Sequence, residues 1–376
     1  MGVNLKKLME RYLRQSLIDW FPQKKVQNCR IAIVGCGAIG NEVAKNLALI
    51  GIGNIDLFDC DSIEIHNLTK SVLFREQDVG CMKVEIIAVR LTELNPDISV
   101  MPHQGDFWDT LSLLQMDNYS CIIGCVDNFE ARIRLNLMCR VAGCNFIDTG
   151  IDSKFVQVSI FPYKKNSSAS CYECGLPNSV YARIRERYSC GWLRNLAFIE
   201  KKIPTTVITA SLAGSLATSQ ALQLIIEDSP KDSSRLFSNS FTGETMISKI
   251  EKNNQCPCCA DLKKAIVITS KSALIDSIVL NFAHENQSIA TSEPILISTR
   301  CINCDPEHDV KIIFDRAEKF DSSHTVCPRC SSESVVFDIR DRFLVSELKE
   351  YFSGRHLPVK FIRGDSVDST TIIEME

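Results

Sequence analysis

The chain has 376 residues, of which 45% are hydrophobic and 23% charged, with a formal net charge of -4. This composition is typical of a soluble globular protein with two or three domains. A nearly balanced charge excludes the electrostatic footprint of general nucleic-acid binding, so we expect no nucleic-acid partner.

The N-terminal residues have no apolar signal core, so we expect a cytoplasmic protein and not an exported one. The pattern of residues 1–20 predicts an amphipathic helix. An uncharged stretch, residues 204–226, is long enough to span a bilayer, but its Thr, Ser, Gln and Gly make it weakly apolar. We expect a buried helix there and no membrane partner.

Strands and helices alternate over residues 30–150. Apolar runs predict strands at residues 30–34, 54–58, 99–101, 121–125 and 145–148, with helices between them at residues 41–50, 84–94 and 130–141. The alternation predicts right-handed crossovers and an α/β fold, a doubly wound Rossmann-like parallel sheet. Ligands of such sheets bind beyond the carboxyl ends of the strands.

After residue 156 the pattern changes to antiparallel strands around a polar region. We place one domain at residues 1–260, in which residues 170–205 form a mobile loop region. Residues 261–376 form a small C-terminal α+β domain. Its predicted strands and helices are residues 265–269, 310–314 and 334–338, and residues 273–282 and 346–352.

A glycine-rich turn follows the first predicted strand. Gly35 permits the tight turn, Gly37 lets the backbone approach a phosphate, and Gly40 lets the helix pack on the strand. The amide groups at the start of the helix then favour an anion. The turn alone fits a dinucleotide dehydrogenase equally well, and so does Asp59, because an acid after the second strand binds a ribose hydroxyl.

Three residues downstream favour ATP over a dinucleotide. Lys70 and Lys83 follow Asp59 closely, in position to neutralise a polyphosphate, and Asp127 ends a strand just before Asn128. A carboxylate there can hold Mg²⁺, which takes one or two carboxylates besides phosphate oxygens and waters. Hydride transfer needs neither feature, so the sequence predicts a site for ATP with magnesium.

Eight of the 18 cysteines fall in Cys-x-x-Cys pairs, which is metal-ligand spacing, and without an export signal a disulfide framework is not expected. The pairs are Cys171 with Cys174, Cys256 with Cys259, Cys301 with Cys304, and Cys327 with Cys330. The last two pairs form a compact zinc ribbon over residues 301–330, with His308 the weaker candidate ligand. The ribbon either holds a small domain together or binds a partner. The wide gap between the first two pairs argues against a shared site by spacing alone.

Together with the Arg-Tyr-Leu-Arg-Gln of residues 11–15, this ordered set resembles the ThiF/MoeB and ubiquitin-activating-enzyme superfamily, from residue 11 to about residue 243. The resemblance implies an ATP site formed by Gly35, Gly37, Gly40, Asp59, Asp61, Asn67, Lys70, Lys83 and Asp127. Within it, Asp59 would bind the ribose, Asn67, Lys70 and Lys83 the phosphates, and Asp127 the magnesium. Residues 1–260 would then be the adenylation domain.

The resemblance also implies chemistry and partners. Family members adenylate the C-terminal glycine carboxylate of a small ubiquitin-like (β-grasp) protein and are commonly homodimers, in which Arg14 would reach the ATP site of the other subunit. We expect Arg14, Lys83 and Asp127 to act in catalysis. The first two cysteine pairs would share one structural zinc, with Cys258 an alternative ligand, so that the chain carries two zinc sites.

Two residues depart from the family pattern. The family has Arg where this chain has Lys70, and Gln where it has Ser71. Lysine supplies charge without the bidentate fork of arginine. This leaves open a non-catalytic zinc-bearing binding module with a degenerate nucleotide fold, and more distantly a nicotinamide oxidoreductase.

Cys190 lies in the polar region, where some family members carry a cysteine that attacks the acyl adenylate. Arg185, Arg187 and Arg194 are close in sequence and would lower the pKa of its thiol. The alternative is a loop cysteine with no role. With Cys190 and the added zinc domain, we favour a conjugation-type activator, such as those of bacterial ubiquitin-like operons, that passes the thioester to a conjugating enzyme. The alternatives are activation of a sulfur carrier without a thioester, or of a peptide or other small carboxylate.

The last residues, 370–376, are acidic and have no Gly-Gly ending, so we expect that the chain is not itself the carrier. The C-terminal domain either recruits a conjugating enzyme or carrier, or only stabilises the protein.

Overall fold

The structure is a computed structural model. It describes residues 10–177, 179–180, 205–226, 230–261, 264–282, 284–304, 310–320, 326–332, 335–366 and 369–375. The described residues form two compact units, one with residues 10–176 and 205–261, the other with residues 177 and 179–180 and the residues from 264 onward.

The first unit is built on an eight-stranded sheet. Its strands are β1 (Arg30–Val34), β2 (Asn54–Asp59), β3 (Ser99–Gln104), β4 (Cys121–Gly124), β5 (Phe146–Ile151), β6 (Phe155–Phe161), β7 (Ser234–Asn239) and β8 (Thr245–Lys249). Its helices are α1 (Gln23–Gln27), α2 (Ala38–Ile50), α3 (Lys83–Leu94), α4 (Phe107–Thr110), α5 (Phe129–Ala142), α6 (Val207–Ile225) and α7 (Pro257–Asp261).

The strand order is β3-β2-β1-β4-β5-β6-β7-β8. The first five strands in this order are parallel, and β6, β7 and β8 are antiparallel. The connections run in opposite directions from β1 and β4, so the sheet has its topological switch point between these strands. The doubly wound sheet predicted from the alternation of elements is confirmed.

The uncharged stretch near residue 210 forms the buried helix α6. A Cβ at Gly214 would lie 2.4 Å from the Cβ of Glu42, so α6 approaches α2 more closely than any larger residue allows. Ala213, Ala217 and Ala221 are fully buried on the same helix. Within the described parts of the chain, no helix combines the length and the apolar character that a bilayer crossing requires.

Residues 10–11 are helical, as predicted, but the predicted N-terminal helix is wrong for residues 12–20, which form turns and a short 3₁₀ helix, Gln15–Leu17. Tyr12 explains the difference, because its buried hydroxyl accepts a hydrogen bond of 2.6 Å from Asn95 Nδ2. A Cβ at Gly51 would lie 2.6 Å from the same ring, so glycine makes room for it. This tertiary anchor outweighs the helical pattern of the segment.

The second unit is a small α+β domain. Its elements are β9 (Lys264–Ser270), α8 (Ile275–Val279), β10 (Ser288–Cys301), β11 (Lys311–Arg316), β12 (Val335–Leu344), α9 (Val345–Phe352), β13 (Phe361–Asp365) and β14 (Ser369–Met375). The sheet order is β11-β10-β13-β14-β9, and β12 also pairs with β10. Apolar residues of α8 and α9 pack with β10, β13 and β14 in one buried cluster.

Candidate active site and cysteine clusters

The glycine turn connects β1 to α2. Gly35 has φ +93°, and a Cβ there would lie 2.6 Å from the carbonyl oxygen of Cys125. A Cβ at Gly40 would lie 2.0 Å from the carbonyl oxygen of Gly35. A Cβ at Gly37 would meet no described atom within 4 Å. The fold therefore requires glycine at positions 35 and 40. At position 37 the fold leaves room for a side chain, so a requirement for glycine there would have to come from a bound molecule.

Helix α2 begins directly at this turn. Its N-cap is Gly37, and no side chain caps the first turn. The backbone amide groups of the first turn therefore point out of the N-terminal end of the helix and have no side-chain acceptor. Nucleotide sites bind anions with this arrangement.

Asp59 ends β2 and is bound to the same turn. Its Oδ2 accepts a hydrogen bond of 2.6 Å from the amide of Cys36, and its Oδ1 accepts one of 2.7 Å from the amide of Asp61. Burial raises the pKa of the Asp59 carboxyl group, while Lys83 and the two amides oppose that rise. Asp59 therefore holds the turn against the end of β2.

Lys83 is the first residue of α3 and points toward these carboxylates. Its Nζ donates to Asp61 Oδ2 at 2.6 Å, and only 7% of the residue is exposed. Burial lowers the pKa of the ammonium group, but Asp59 and Asp61 outweigh that effect, and the net pKa is raised. The site thus holds a charged, nearly buried lysine.

Asn41 was missed by the sequence analysis. It is fully buried, and its Nδ2 donates to the carbonyl oxygens of Cys36 at 3.0 Å and Gly37 at 3.2 Å. Its Oδ1 accepts a hydrogen bond of 3.0 Å from the amide of Leu73. Asn41 therefore joins the glycine turn to the segment that carries Lys70. The sequence signal that could have identified Asn41 is a polar amide side chain directly after Gly40. A side chain buried at that position must form hydrogen bonds with the surrounding backbone.

Lys70 and Asn67 lie in that segment. Lys70 Nζ donates to Thr205 Oγ1 at 3.2 Å, just before α6. Asn67 Oδ1 accepts a hydrogen bond of 2.9 Å from the amide of Glu64 and closes the 3₁₀ turn Ile65–Asn67. The structure thus places Lys70 against the start of α6, while Asn67 stabilises a local turn.

Asp127 follows β4, next to the glycine turn. The amide of Cys125 donates to the carbonyl oxygen of Val34 at 2.7 Å, which joins the ends of β4 and β1. Asp127 is exposed, and Asn128 Nδ2 donates to its Oδ1 at 3.4 Å. Asn128 also caps α5 by accepting from the amide of Ala131 at 2.8 Å. The carboxylate is therefore open to solvent at the carboxyl edge of the sheet.

One further predicted residue, Arg14, does not join this arrangement. Arg14 is exposed on the N-terminal turn, beside Arg11, which pairs with Asp97 at 2.9 Å. In the single chain, the described contacts do not connect Arg14 to the glycine turn. Cys190 lies outside the described residues.

The first cysteine cluster is assembled from the two distant pairs, Cys171 with Cys174 and Cys256 with Cys259. The Sγ–Sγ distances between contacting members are 3.5–3.8 Å. Zinc with four thiolates at about 2.3 Å in a tetrahedron requires sulfur separations of about 3.8 Å. The donor set therefore fits a closed zinc site. Cys258 lies beside it, within 3.6 Å of Asn136 Nδ2, and is not a member of the group of four.

The second cluster lies in the C-terminal unit. Cys301 and Cys330 have their Sγ atoms 3.6 Å apart, and Cys304 and Cys327 have theirs 3.7 Å apart. All four sulfurs lie within 4.8 Å of one another, so this donor set also fits zinc. His308 lies outside the described residues.

These features define a class of protein. It combines a doubly wound nucleotide-type fold, a helix start open to anions, a buried lysine among carboxylates and a four-cysteine cluster. The sequence profile described as the ThiF family matches residues 9–258, and the chain belongs to this family.

Curated relatives match part of the chain. SUMO-activating enzyme subunit 2 of Dictyostelium discoideum is 32% identical over 174 residues, which are 44% of this chain and 25% of the relative. Ubiquitin-like modifier-activating enzyme 5 of Drosophila grimshawi is 30% identical over 202 residues, which are 50% of this chain and 49% of the relative. The chain thus spans about half or less of the length of these relatives.

Solved structures of E. coli MccB are similar over a larger share. The complex of MccB with AMPCPP and MccA has a TM-score of 0.51 and 25% identity, and the match covers 63% of this chain and 68% of MccB. The structure of MccB with succinimide has a TM-score of 0.52 at 25% identity, covering 66% of this chain and 73% of MccB.

Proposed function

We propose that the chain is an ATP-dependent adenylyltransferase that activates the C-terminal glycine carboxylate of a small ubiquitin-like protein. The observation that carries the proposal is the convergence of the open start of α2, the charged Lys83 and the exposed Asp127 at the carboxyl edge of the sheet. A nicotinamide site has no use for a buried cation facing a second carboxylate, whereas a magnesium triphosphate site uses both.

The proposed ligand roles follow from this placement. The triphosphate lies over the start of α2, where Gly37 leaves room for its oxygens. Lys83 donates to phosphate oxygens after exchanging its ion pair with Asp61, and Lys70 does so from the opposite segment, with Asn67 beside it. Asp59 receives the ribose. Asp127, with Asp61 within reach of the same edge, would hold Mg²⁺, which would neutralise phosphate charge when bound.

The chemical step follows from charge. The carrier carboxylate attacks the α-phosphorus of ATP, a new acyl–phosphate bond forms, and the bond to pyrophosphate breaks. Both reactants are anions, so the lysines lower the barrier by neutralising the oxygens on which charge develops. A general base is unnecessary, because the attacking carboxylate is already ionised.

The relatives support this class of substrate. By their names, the matched curated proteins activate SUMO and ubiquitin-like modifiers. A ubiquitin-like carrier is therefore the first candidate substrate of this chain.

A peptide carboxylate is the second candidate. The MccB structures were solved with ATP, with AMPCPP and with MccA, and they match two thirds of this chain. This similarity favours a member that adenylates a small peptide in the same site.

We also propose a homodimer in which Arg14 acts on the partner subunit. Arg14 is close in sequence to large apolar side chains that are exposed in the single chain: Leu13 is 56%, Leu17 75% and Trp20 63% exposed. Single exposed apolar residues are ordinary, but a cluster around a candidate catalytic arginine suggests a surface covered by a second copy.

After adenylation, Cys190 would attack the acyl adenylate, release AMP and hold the carrier as a thioester for a conjugating enzyme. The support is the family resemblance and the position of Cys190 shortly before Thr205, which contacts Lys70. The two cysteine clusters would each hold one structural zinc ion.

The proposed function is tested by isotope exchange between pyrophosphate and ATP, with Mg²⁺ and carriers encoded beside the gene. Exchange that requires one carrier and its C-terminal glycine supports the proposal. Exchange with short peptides alone favours the second candidate. A folded protein that exchanges with neither contradicts both.

A further inference from the structure

Helix α5 carries Arg132 and Asn136 four residues apart, a spacing that places them on one face, and Asn128 is its N-cap. Asn128 caps the helix next to Asp127. Asn136 lies two turns further along, at the first cysteine cluster. Arg132 lies between them, so the helix connects the edge of the sheet to the cysteines.

Arg132 makes two separate contacts with its guanidinium group. Nη1 donates to both carboxylate oxygens of Asp148 at 2.8 Å, and Nη2 donates to the carbonyl oxygen of Val126 at 2.8 Å. The Asp148 side chain is fully buried, and that of Arg132 is 13% exposed. Burial lowers the pKa of Arg132, but Asp148 more than offsets this, so the group stays charged. The peptide that precedes Asp127 is thus fixed by a buried ion pair.

Asn136 connects the helix to the cysteines. It is fully buried, and its Oδ1 accepts hydrogen bonds from the amide of Tyr172 at 3.0 Å and from the hydroxyl of Tyr163 at 2.7 Å. Tyr172 lies between Cys171 and Cys174 in sequence. Helix α5 therefore carries both Asn136, which contacts the cysteine segment, and Arg132, which binds the Val126 carbonyl.

We infer that Arg132 is a positioning residue that orients Asp127 toward its cation and links this orientation to the first cysteine cluster. The inference rests on the proposed function. Asp127 itself is exposed, and its side chain is contacted only through the 3.4 Å interaction with Asn128 among the described bonds. Its direction therefore depends on the backbone that Arg132 fixes.

The test is Arg132→Lys, with two readouts: the Mg²⁺ dependence of pyrophosphate exchange, and the Mg²⁺ dependence of the rise in melting temperature that AMPCPP causes. Lysine keeps the charge beside Asp148 but cannot bridge Asp148 and the Val126 carbonyl as the guanidinium fork does. We expect the Mg²⁺ concentration for half-maximal exchange to rise about 10- to 100-fold, the usual effect of losing a residue that supports a metal ligand. The rate at saturating Mg²⁺ should stay close to that of the parent.

The matched control is Arg134→Lys on the same helix, since Arg134 pairs with Glu130 at 2.8 Å. It should leave the Mg²⁺ dependence unchanged. If Arg132→Lys does not fold, the double variant Arg132→Gln with Asp148→Asn removes both buried charges together and should show the same rise. Asn136→Leu, which removes the hydrogen bonds to Tyr172 and Tyr163, should shift the half-maximal Mg²⁺ concentration in the same direction by a smaller factor. An unchanged concentration would show that the cysteine cluster does not influence the orientation of Asp127.

The outcomes separate the inference from the proposed function. If the parent exchanges pyrophosphate and Arg132→Lys has the same half-maximal Mg²⁺ concentration, the inference is overturned and the proposed function stands. If the melting temperature of the parent does not rise with ATP and Mg²⁺, the proposed function falls and the inference falls with it.

Discussion

Lys83 and Asp61 form an ion pair of 2.6 Å in which the cation is the buried partner: the lysine side chain is 9% exposed and the aspartate side chain 62%. An ion pair that served only to stabilise the fold would gain little from having one partner buried and the other exposed. It leaves the carboxylate free to move while the ammonium group stays in place, so an incoming phosphate can take the position of the carboxylate.

Substitution of Lys83 should therefore slow exchange strongly without unfolding the protein. We expect Lys83→Met to lower the rate of pyrophosphate exchange by about 10²–10³-fold, since a charge-stabilising donor in the transition state is lost. Lys24→Met, at an exposed position on α1, is the control. Exchange at the parental rate in Lys83→Met would remove the lysine from the mechanism.

The glycine turn offers a matched pair of variants. Gly40→Ala forces a Cβ to within 2.0 Å of a backbone oxygen and should cost about 1–3 kcal/mol of unfolding free energy. Gly37→Ala meets no described atom within 4 Å, and its φ of -73° suits alanine. It should change stability by less than about 0.5 kcal/mol. It should nevertheless weaken ATP binding, measured by calorimetry. Unimpaired ATP binding in Gly37→Ala would show that no phosphate approaches there.

The two cysteine clusters predict two zinc ions per chain, which native mass spectrometry measures directly. Cys174→Ser should retain one ion and lower the melting temperature of the first unit, because structural zinc contributes directly to folding free energy. Cys304→Ser should also retain one ion. If either variant still carries two zinc ions, or the parent carries none, the assignment is wrong.

Cys60 provides a test by pH. Burial and the neighbouring carboxylates of Asp61 and Asp59 raise the pKa of its thiol to about 11. The thiolate is the reactive form, so alkylation of Cys60 should accelerate about tenfold per pH unit between pH 8 and 10 and level off above pH 11. Peptide mass spectrometry follows each cysteine separately, and Cys190, with arginines nearby in sequence, should react already near pH 7. A pH-independent alkylation rate at Cys60 would contradict the claim that burial and the carboxylates of Asp61 and Asp59 raise the pKa of its thiol.

The role of Arg14 across a dimer can be tested by complementation. Arg14→Ala and Lys83→Met should each be inactive alone. A heterodimer of the two has one site with an intact Lys83 and the Arg14 of the other chain, so mixing them should restore activity. Mixed dimers without activity would show that Arg14 does not act in trans.

The sheet of the first unit was predictable because local patterns dictate it. The β1 strand, Arg30–Val34, has the predicted ends, and α2 starts three residues before the prediction because Gly37 caps it. Asn41 and Arg132 were missed because their importance lies in contacts across the fold, which leave no periodic signal in sequence. The shared site of the first cysteine cluster was predicted from family resemblance and not from spacing.

The C-terminal unit was predicted less completely. The 14-residue strand β10 was missed because it contains Pro294 and its pairing is interrupted by register shifts, which break the alternating pattern. The last strand, β14, contains Glu374 in a sequence interpreted as an acidic end. In the structure, Glu374 is 3% exposed at its side chain and lies 3.6 Å from Lys360. The sequence of β14 therefore has the acidic pattern of a charged tail, although the charge of Glu374 is buried in an ion pair.

The central proposal is adenylation of a carrier, and intact mass spectrometry tests it most directly. The protein is incubated with ATP, Mg²⁺ and a carrier encoded beside its gene, without reductant, in parallel with Lys83→Met and Cys190→Ala. The proposal predicts a carrier that gains one AMP, or a thiol-labile adduct of one carrier on the parent that is absent in Cys190→Ala, with neither product in Lys83→Met. A zinc-loaded, folded parent that leaves the carrier unmodified and bears no adduct would contradict it.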